Sequence, residues 1–232
     1  MPQVAGTGAH VTAVALIGGD GAGKTTIAEH LTTTGRMRAK YMYMGISAQS
    51  GDRLLPTSRL VLWLRGRAYR QRVPGAGPTK VRIPADQYEY SARERGALWV
   101  AARLINRFTE AWYRQLVSWS YQVRGYVMIY DRHVLFDTGV LDPRPKPQMQ
   151  LSERLFRGAM RSLFPRPDVV IFLDTPGDVL HARKGEASAE YLNSEARMYL
   201  AQAGAAGQFV RIDASLPLEE VKRQATEIVA AL

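Results

Sequence analysis

The chain has 232 residues and a mass of 25.9 kDa, room for one well-buried domain and too little for two of ordinary size. Hydrophobic residues make up 46% and charged residues 22%, which excludes disordered, collagen-like and low-complexity architectures. Cysteine is absent, so disulfides, thiolate metal sites and a Cys nucleophile are excluded, and no apolar run approaches the ~20 residues of a membrane span. Residues 1–10 read as a flexible arm without the basic cluster and apolar core of a secretory signal, and a cytoplasmic enzyme is the expectation.

Charge is unevenly placed. Between Asp52 and Gly125 lie 14 Lys/Arg against 5 acids, +9 of the chain's +10, and all four tryptophans (Trp63, Trp99, Trp112, Trp119) fall there. A nearly neutral frame thus carries a basic, aromatic insert at 52–125.

Taken in order, residues 11–17 form a short apolar run ending in glycines, as a buried parallel strand should. Residues 24–33 suit a helix stopped by Gly35, and 40–44 a second strand. In the insert, 58–72 reads as a helix, broken at 73–78 with irregular chain to about Gln87. A long helix is predicted over 92–123, because Leu98, Ala101, Ile105, Phe108, Trp112, Leu116 and Trp119 recur at spacings of three and four. Residues 126–130 and 169–173 are strands, each followed by an aspartate (Asp131, Asp174). The last strand is 209–212, and 218–232 closes the chain as an amphipathic helix. Strands alternating with helices imply a parallel sheet covered on both faces.

Gly18-Gly-Asp-Gly-Ala-Gly-Lys-Thr25 matches G-x-x-x-x-G-K-[ST] between a predicted strand and helix. Such glycines let backbone N–H groups turn inward around phosphate oxygens, and the helix adds its positive end. The expected nucleotide cradle is therefore Gly18, Gly19, Asp20, Gly21, Ala22, Gly23, Lys24, Thr25 and Thr26. Lys24 would reach the β- and γ-phosphates of ATP, and the Thr25 hydroxyl would ligate Mg²⁺. The expected fold is a P-loop α/β three-layer sandwich in a single domain spanning 1–232. It has a five-stranded parallel sheet, helices on both faces and a helical acceptor and lid region.

Further residues resemble the thymidylate kinases. The loop from Gly19 to Thr26 is similar to theirs, and Tyr130-Asp-Arg-His133 resembles their D-R-Y motif. The run 166–176 followed by Arg183, the pair Arg197 and Tyr199, and Ile212-Asp-Ala-Ser215 with 218–221 also match, in family order. Asp131 ends an apolar strand at the carboxyl edge, where it would hold Mg²⁺ through water or orient the acceptor; the resemblance implies that Arg132 grips phosphate oxygens and that Asp20 turns toward an acceptor hydroxyl. It also puts Ala214 on the adenine-side loop and a lid at 183–190, whose catalytic arginine is Arg183, with Lys184 second. Arg197, one face inward on the next helix, is read equally as a phosphate contact or a salt bridge. His133 replaces the family's tyrosine and is read as structural. The family's R-E-P-G-G acceptor motif is replaced by Tyr43-Met-Gly-Ile-Ser47, which leaves the acceptor's identity open.

The expected activity is transfer of the γ-phosphate of ATP to a small acceptor, a dTMP-like nucleoside monophosphate first and a sugar or natural-product intermediate as the rival. A nucleic-acid-binding NTPase or polynucleotide kinase is the alternative from another class, given the basic aromatic insert. A homodimer through the long helix is expected, with Arg103, Arg107 and Arg114 flanking its seam or facing the acceptor cleft.

Overall fold

The computed structural model describes residues 12–34, 37–45, 97–143, 151–185 and 187–231. The arm 1–10, Gly35, the expected helix 58–72 with its break, and Glu186 lie outside them.

Five strands form one parallel sheet: β1 (Ala13–Ile17), β2 (Ala39–Tyr43), β3 (Val127–Asp131), β4 (Val169–Asp174) and β5 (Gln208–Asp213), in the order β2-β3-β1-β4-β5. β1 is central and buried along its whole length, which is why its sequence is continuously apolar rather than alternating. β2 and β5 are the edges, and both carry partly exposed residues. At the amino ends of the strands, the Asp168 carboxylate accepts from the backbone N–H of Thr12 (2.7 Å) and Ala13 (2.9 Å), pinning β1 beside β4.

Helices cover both faces, as strand–helix alternation requires. Val14, Leu16, Ile129, Ile171 and Leu173 face α1 (Lys24–Thr33) and α7 (Leu218–Ala230). Ala13, Ala15, Ile17, Met128, Tyr130 and Phe172 face α2 (Ala97–Gln122) and α4 (Leu151–Leu163). A short α3 (Val134–Asp137) follows β3, while α5 (Gly177–Lys184) and α6 (Ala189–Ala201) join β4 to β5. Among the described residues no helix is long and apolar enough to cross a membrane.

Helix α1 has the expected bounds, and the strands fall within two residues of theirs. α3 and α4 have no counterpart in the sequence reading. In α4 the apolar residues Leu151, Leu155, Phe156, Ala159, Met160 and Leu163 recur at helical spacing on one broad face, a signal the sequence reading missed; Phe156 and Met160 on that face are buried, whereas Leu151, Leu155 and Leu163 are exposed. The long helix also splits its stripe. Phe108 and Trp112 pack inward, while Ile105, Leu116 and Trp119 face outward at 64%, 57% and 38% exposure.

Candidate phosphate-binding site

The sheet order reverses at β1, so the loops leaving β1, β3 and β4 meet at one carboxyl edge, where open α/β sheets bind ligands. The glycine-rich loop occupies this edge. Gly18 has φ +149°, and a Cβ there would stand 2.5 Å from the Leu173 carbonyl oxygen, so only glycine lets the loop leave β1 this close to β4. Helix α1 then starts at Lys24 with no capping side chain and no acid in its first turn. Its positive end is left for an anion.

Lys24 is 5% exposed, and its Nζ donates to Gly18 O (2.7 Å) and Gly19 O (2.6 Å). Burial, reinforced by the nearby Arg132, pulls its ammonium down to about 8. A cation held so poorly solvated gains from an arriving phosphate.

Thr25 and Asp131 meet here. Thr25 Oγ1 donates to Asp131 Oδ2 at 2.6 Å, and the same oxygen accepts from Tyr41 Oη at 3.1 Å. A hydroxyl and a carboxylate side by side are hard oxygen donors of the kind that would suit Mg²⁺. Among the described residues no cluster of three or more His, Cys, Asp or Glu is arranged to hold a metal, so a dedicated protein cage is not what these residues offer. The β2 residue Tyr41 was not legible as part of the site. Only the β2–β3 pairing brings it to Asp131.

Arg132 is the one non-glycine residue at positive φ (66°) among those described, a conformation that costs about 1–2 kcal/mol. Its N–H donates to Leu16 O at 3.0 Å, and its side chain turns back over the loop. The guanidinium donates to Asp20 Oδ1 and lies 3.8 Å from Asp137 Oδ2. Gly45 makes room for it: a Cβ there would sit 2.8 Å from Arg132 Cδ and 2.6 Å from the Tyr43 hydroxyl. Burial disfavours the guanidinium's charge, but Asp137 and Asp20 outweigh it and raise its pKa. Burial likewise works against the Asp20 carboxylate, yet Arg132, Lys24 and Lys184 hold it below its ordinary range.

Two further carboxyls line this cluster. Asp137 and Glu195 are both pushed up by burial, with nearby cations only partly offsetting it. The Tyr199 hydroxyl lies 3.2 Å from Asp137 Oδ1 and 3.3 Å from Glu195 Oε1. Neither acid stood out in the sequence, because nothing local marks a helical Asp or Glu as facing an arginine.

Arg183 differs from expectation in its setting. It lies on the last turn of α5 with Lys184, before the left-handed cap at Gly185, rather than in a loop after the helix. Its side chain is exposed and reaches to 3.4 Å from both Gly21 O and Ala214 O, joining the glycine-rich loop to the expected adenine-side loop. The expected lid stretch is also shorter in loop: Ser188 caps α6 by accepting from Tyr191 N (3.2 Å), and Ala189 and Glu190 are already helical. Arg197 lies on the exposed side of α6, not turned inward. Thr26 is exposed on the first turn of α1.

His133 points away from the loop, fully buried among Tyr130, Phe136 and Phe164, and burial drives its imidazole down to about 3. Of the insert arginines, Arg107 lies over the Phe156 ring and pairs with Glu153 at 3.3 Å. Arg114 is buried and donates to Gly45 O at 2.7 Å, at the carboxyl end of β2. Neither contributes to an exposed basic ridge. Trp112 packs edge-on against Trp119 and Phe164 rather than presenting a face for base stacking.

A scan of this chain against protein-family models finds no match. A search of curated proteins finds no relative. What the structure establishes is an α/β fold with a five-stranded parallel sheet in the order β2-β3-β1-β4-β5, consistent with a P-loop NTPase-like architecture.

Proposed function

We propose that this protein is an ATP-dependent phosphotransferase that passes the γ-phosphate of ATP·Mg²⁺ to a small acceptor. The observation that carries the reading is the convergence of Lys24, Thr25, Asp131 and Arg132, from two strand ends, around the glycine-rich loop. A nucleoside monophosphate is the acceptor class we put first, and another small molecule such as a sugar is the rival. The reading places the enzyme in the cytoplasm, where ATP is supplied.

Phosphoryl transfer asks the protein for alignment and charge rather than covalent chemistry. An acceptor oxygen attacks the γ-phosphorus while the bond to the β,γ-bridging oxygen breaks, leaving ADP. In this scheme Lys24 leaves the carbonyls of Gly18 and Gly19 for the β- and γ-phosphates. Thr25 and Asp131 would hold Mg²⁺, which supplies charge neutralisation across the phosphates. Arg132, a fork of donors, suits equatorial phosphoryl oxygens better than a point charge does. Asp20 would receive an acceptor hydroxyl, and Arg183 and Ala214 would flank the adenine side.

The same reading makes the chain a two-fold dimer. Ile105, Leu116 and Trp119 are exposed on α2, as is Val123 just past its end, and α4 packed beside it exposes Leu151, Leu155 and Leu163. So many large apolar groups on adjacent helices fit a covered interface.

The test is ATP consumption by the purified protein against a panel of nucleoside monophosphates, nucleosides, sugars and oligonucleotides. One small acceptor should stimulate ADP formation far above the background with water. Stimulation by oligonucleotide alone would overturn the small-acceptor reading.

A further inference from the structure

The arginine at the centre of the site is held from behind. Arg132 stands in a left-handed backbone conformation, so its side chain owes its direction to what grips it. Two carboxylates do: Asp20 of the phosphate loop, which is half-exposed and on the ligand side, and Asp137, which is 5% exposed and lies five residues further along the chain on α3. Asp137 is in turn bonded by the buried Tyr199 hydroxyl of α6, which also reaches Glu195. Glu195 abuts the phosphate loop, its Oε2 lying 3.6 Å from where a Cβ on Gly19 would be. A continuous chain therefore runs from Arg132 through Asp137 and Tyr199 to Glu195, returning to the loop that Arg132 already touches through Asp20.

The two grips differ in kind. Asp20 is loop-borne and faces the side from which ligands arrive, so an arriving acceptor competes for it. Asp137 has its side chain almost wholly buried behind the arginine, so an arriving ligand does not compete for it directly. One Tyr199 proton faces two carboxyls that burial has pushed toward the protonated form, so the second contact closes when one of them carries a proton. That arrangement keeps Asp137 available to Arg132 without stacking three unbalanced negative charges around one guanidinium.

We propose that Asp137, braced by Tyr199, is the positioning residue that aims the Arg132 guanidinium at the phosphoryl group when Asp20 turns to the acceptor. The catalytic consequence rests on the phosphotransferase reading, since Arg132 acts on a phosphoryl group only if one passes before it. The positioning itself does not.

The test uses Asp137→Asn, which keeps the shape and removes the charge, and Tyr199→Phe, which removes only the brace. Crystal structures of both variants in an Asp20→Ala background, which removes the loop-borne grip, each free and with ADP·Mg²⁺, read the position of the Arg132 guanidinium directly. It should leave its place in Asp137→Asn and become disordered or doubled in Tyr199→Phe. An Arg132 that keeps its position in Asp137→Asn overturns the proposal, whatever the protein's activity. Turnover supplies the second readout, with ATP hydrolysis as the probe. In Asp137→Asn kcat should drop at least about tenfold with the ATP KM changed less than about twofold, and in an Arg132→Ala background the same change should have no further effect. Additive losses in the double variant, or a rise in KM with kcat intact, count against positioning. A wild-type protein that fails to bind a fluorescent ATP analogue sinks the phosphotransferase reading instead, and leaves the crystallographic result to decide the positioning alone.

Discussion

Thr25 Oγ1 donates a 2.6 Å hydrogen bond to Asp131 Oδ2, joining the first turn of α1 to the last residue of β3 across 106 positions of sequence. The two oxygens stand where the phosphate loop ends and the central strands terminate. Thr25→Ala should therefore weaken Mg²⁺-dependent ATP binding by roughly tenfold and leave the Mg²⁺-free component alone, whereas Thr25→Ser should behave as wild type. Titration of a fluorescent ATP analogue with and without Mg²⁺ checks this. Equal losses in both conditions would remove Thr25 from the metal site.

Lys24→Ala should abolish turnover and spare the fold, because the lysine's hydrogen bonds go to the loop carbonyls of Gly18 and Gly19 and its ion pair to Asp20 of the same loop. Losing a preorganised cation at the transferring phosphate costs about 3–4 kcal/mol of barrier, or 10²–10³ in rate. Circular dichroism and ATP turnover together check it. Retention of more than about a tenth of wild-type turnover is incompatible with the assigned role.

Nucleotide affinity should depend on pH through Lys24. With its ammonium held down to about 8 by burial, the free protein loses this charge as pH rises through that value. Phosphate binding favours the charged form, so the complex takes up a proton there and affinity falls as pH rises. Below about pH 7 the lysine is already charged and affinity should be flat with respect to this group. Calorimetry in buffers of different ionisation enthalpy measures the proton uptake, which Lys24→Arg should eliminate. Uptake that persists in Lys24→Arg would assign the proton to another group.

Stability should fall on acidification through His133. The buried imidazole titrates near 3 in the folded chain and near its ordinary value of about 6.5 when unfolded. The unfolded state thus binds the extra proton between these values, and stability present above about pH 6.5 is lost at up to about 1.4 kcal/mol per unit below it. Asp137 and Glu195, raised by burial, act in the opposite direction, so the comparison that isolates His133 is with His133→Phe. That variant should show a flatter dependence of Tm on pH. It also removes two buried ring nitrogens that have no hydrogen-bond partner among the described residues, so its stability at neutral pH should not drop. Parallel pH profiles for the two proteins would refute the assignment.

The exposed face of α2 should mediate self-association. Light scattering should give a mass near twice 25.9 kDa, and Leu116→Glu, at a position already 57% exposed, should yield a folded monomer. A wild-type monomer that binds single-stranded DNA tightly at physiological salt would instead favour the nucleic-acid reading.

By itself the sequence determined those features that local chemistry decides. The glycine spacing from Gly18 to Thr25 specifies a tight strand-to-helix turn, because at Gly18 the close backbone approach tolerates no side chain. The apolar runs at β1, β3 and β4 specify buried strands because both of their faces are covered, and the aspartates ending β3 and β4 are legible as edge residues for the same reason. Tertiary structure alone decided which of these ends meet. The order β2-β3-β1-β4-β5 brings Tyr41 to Asp131, and Arg132 to an Asp20 that lies 112 residues earlier. It also seats Asp137, Tyr199 and Glu195 behind that arginine, on helices whose sequences mark no partner. A side chain's distant partners depend on strand order and helix packing, so chain-local patterns show which residues can do chemistry and the assembled sheet selects the ones that face each other.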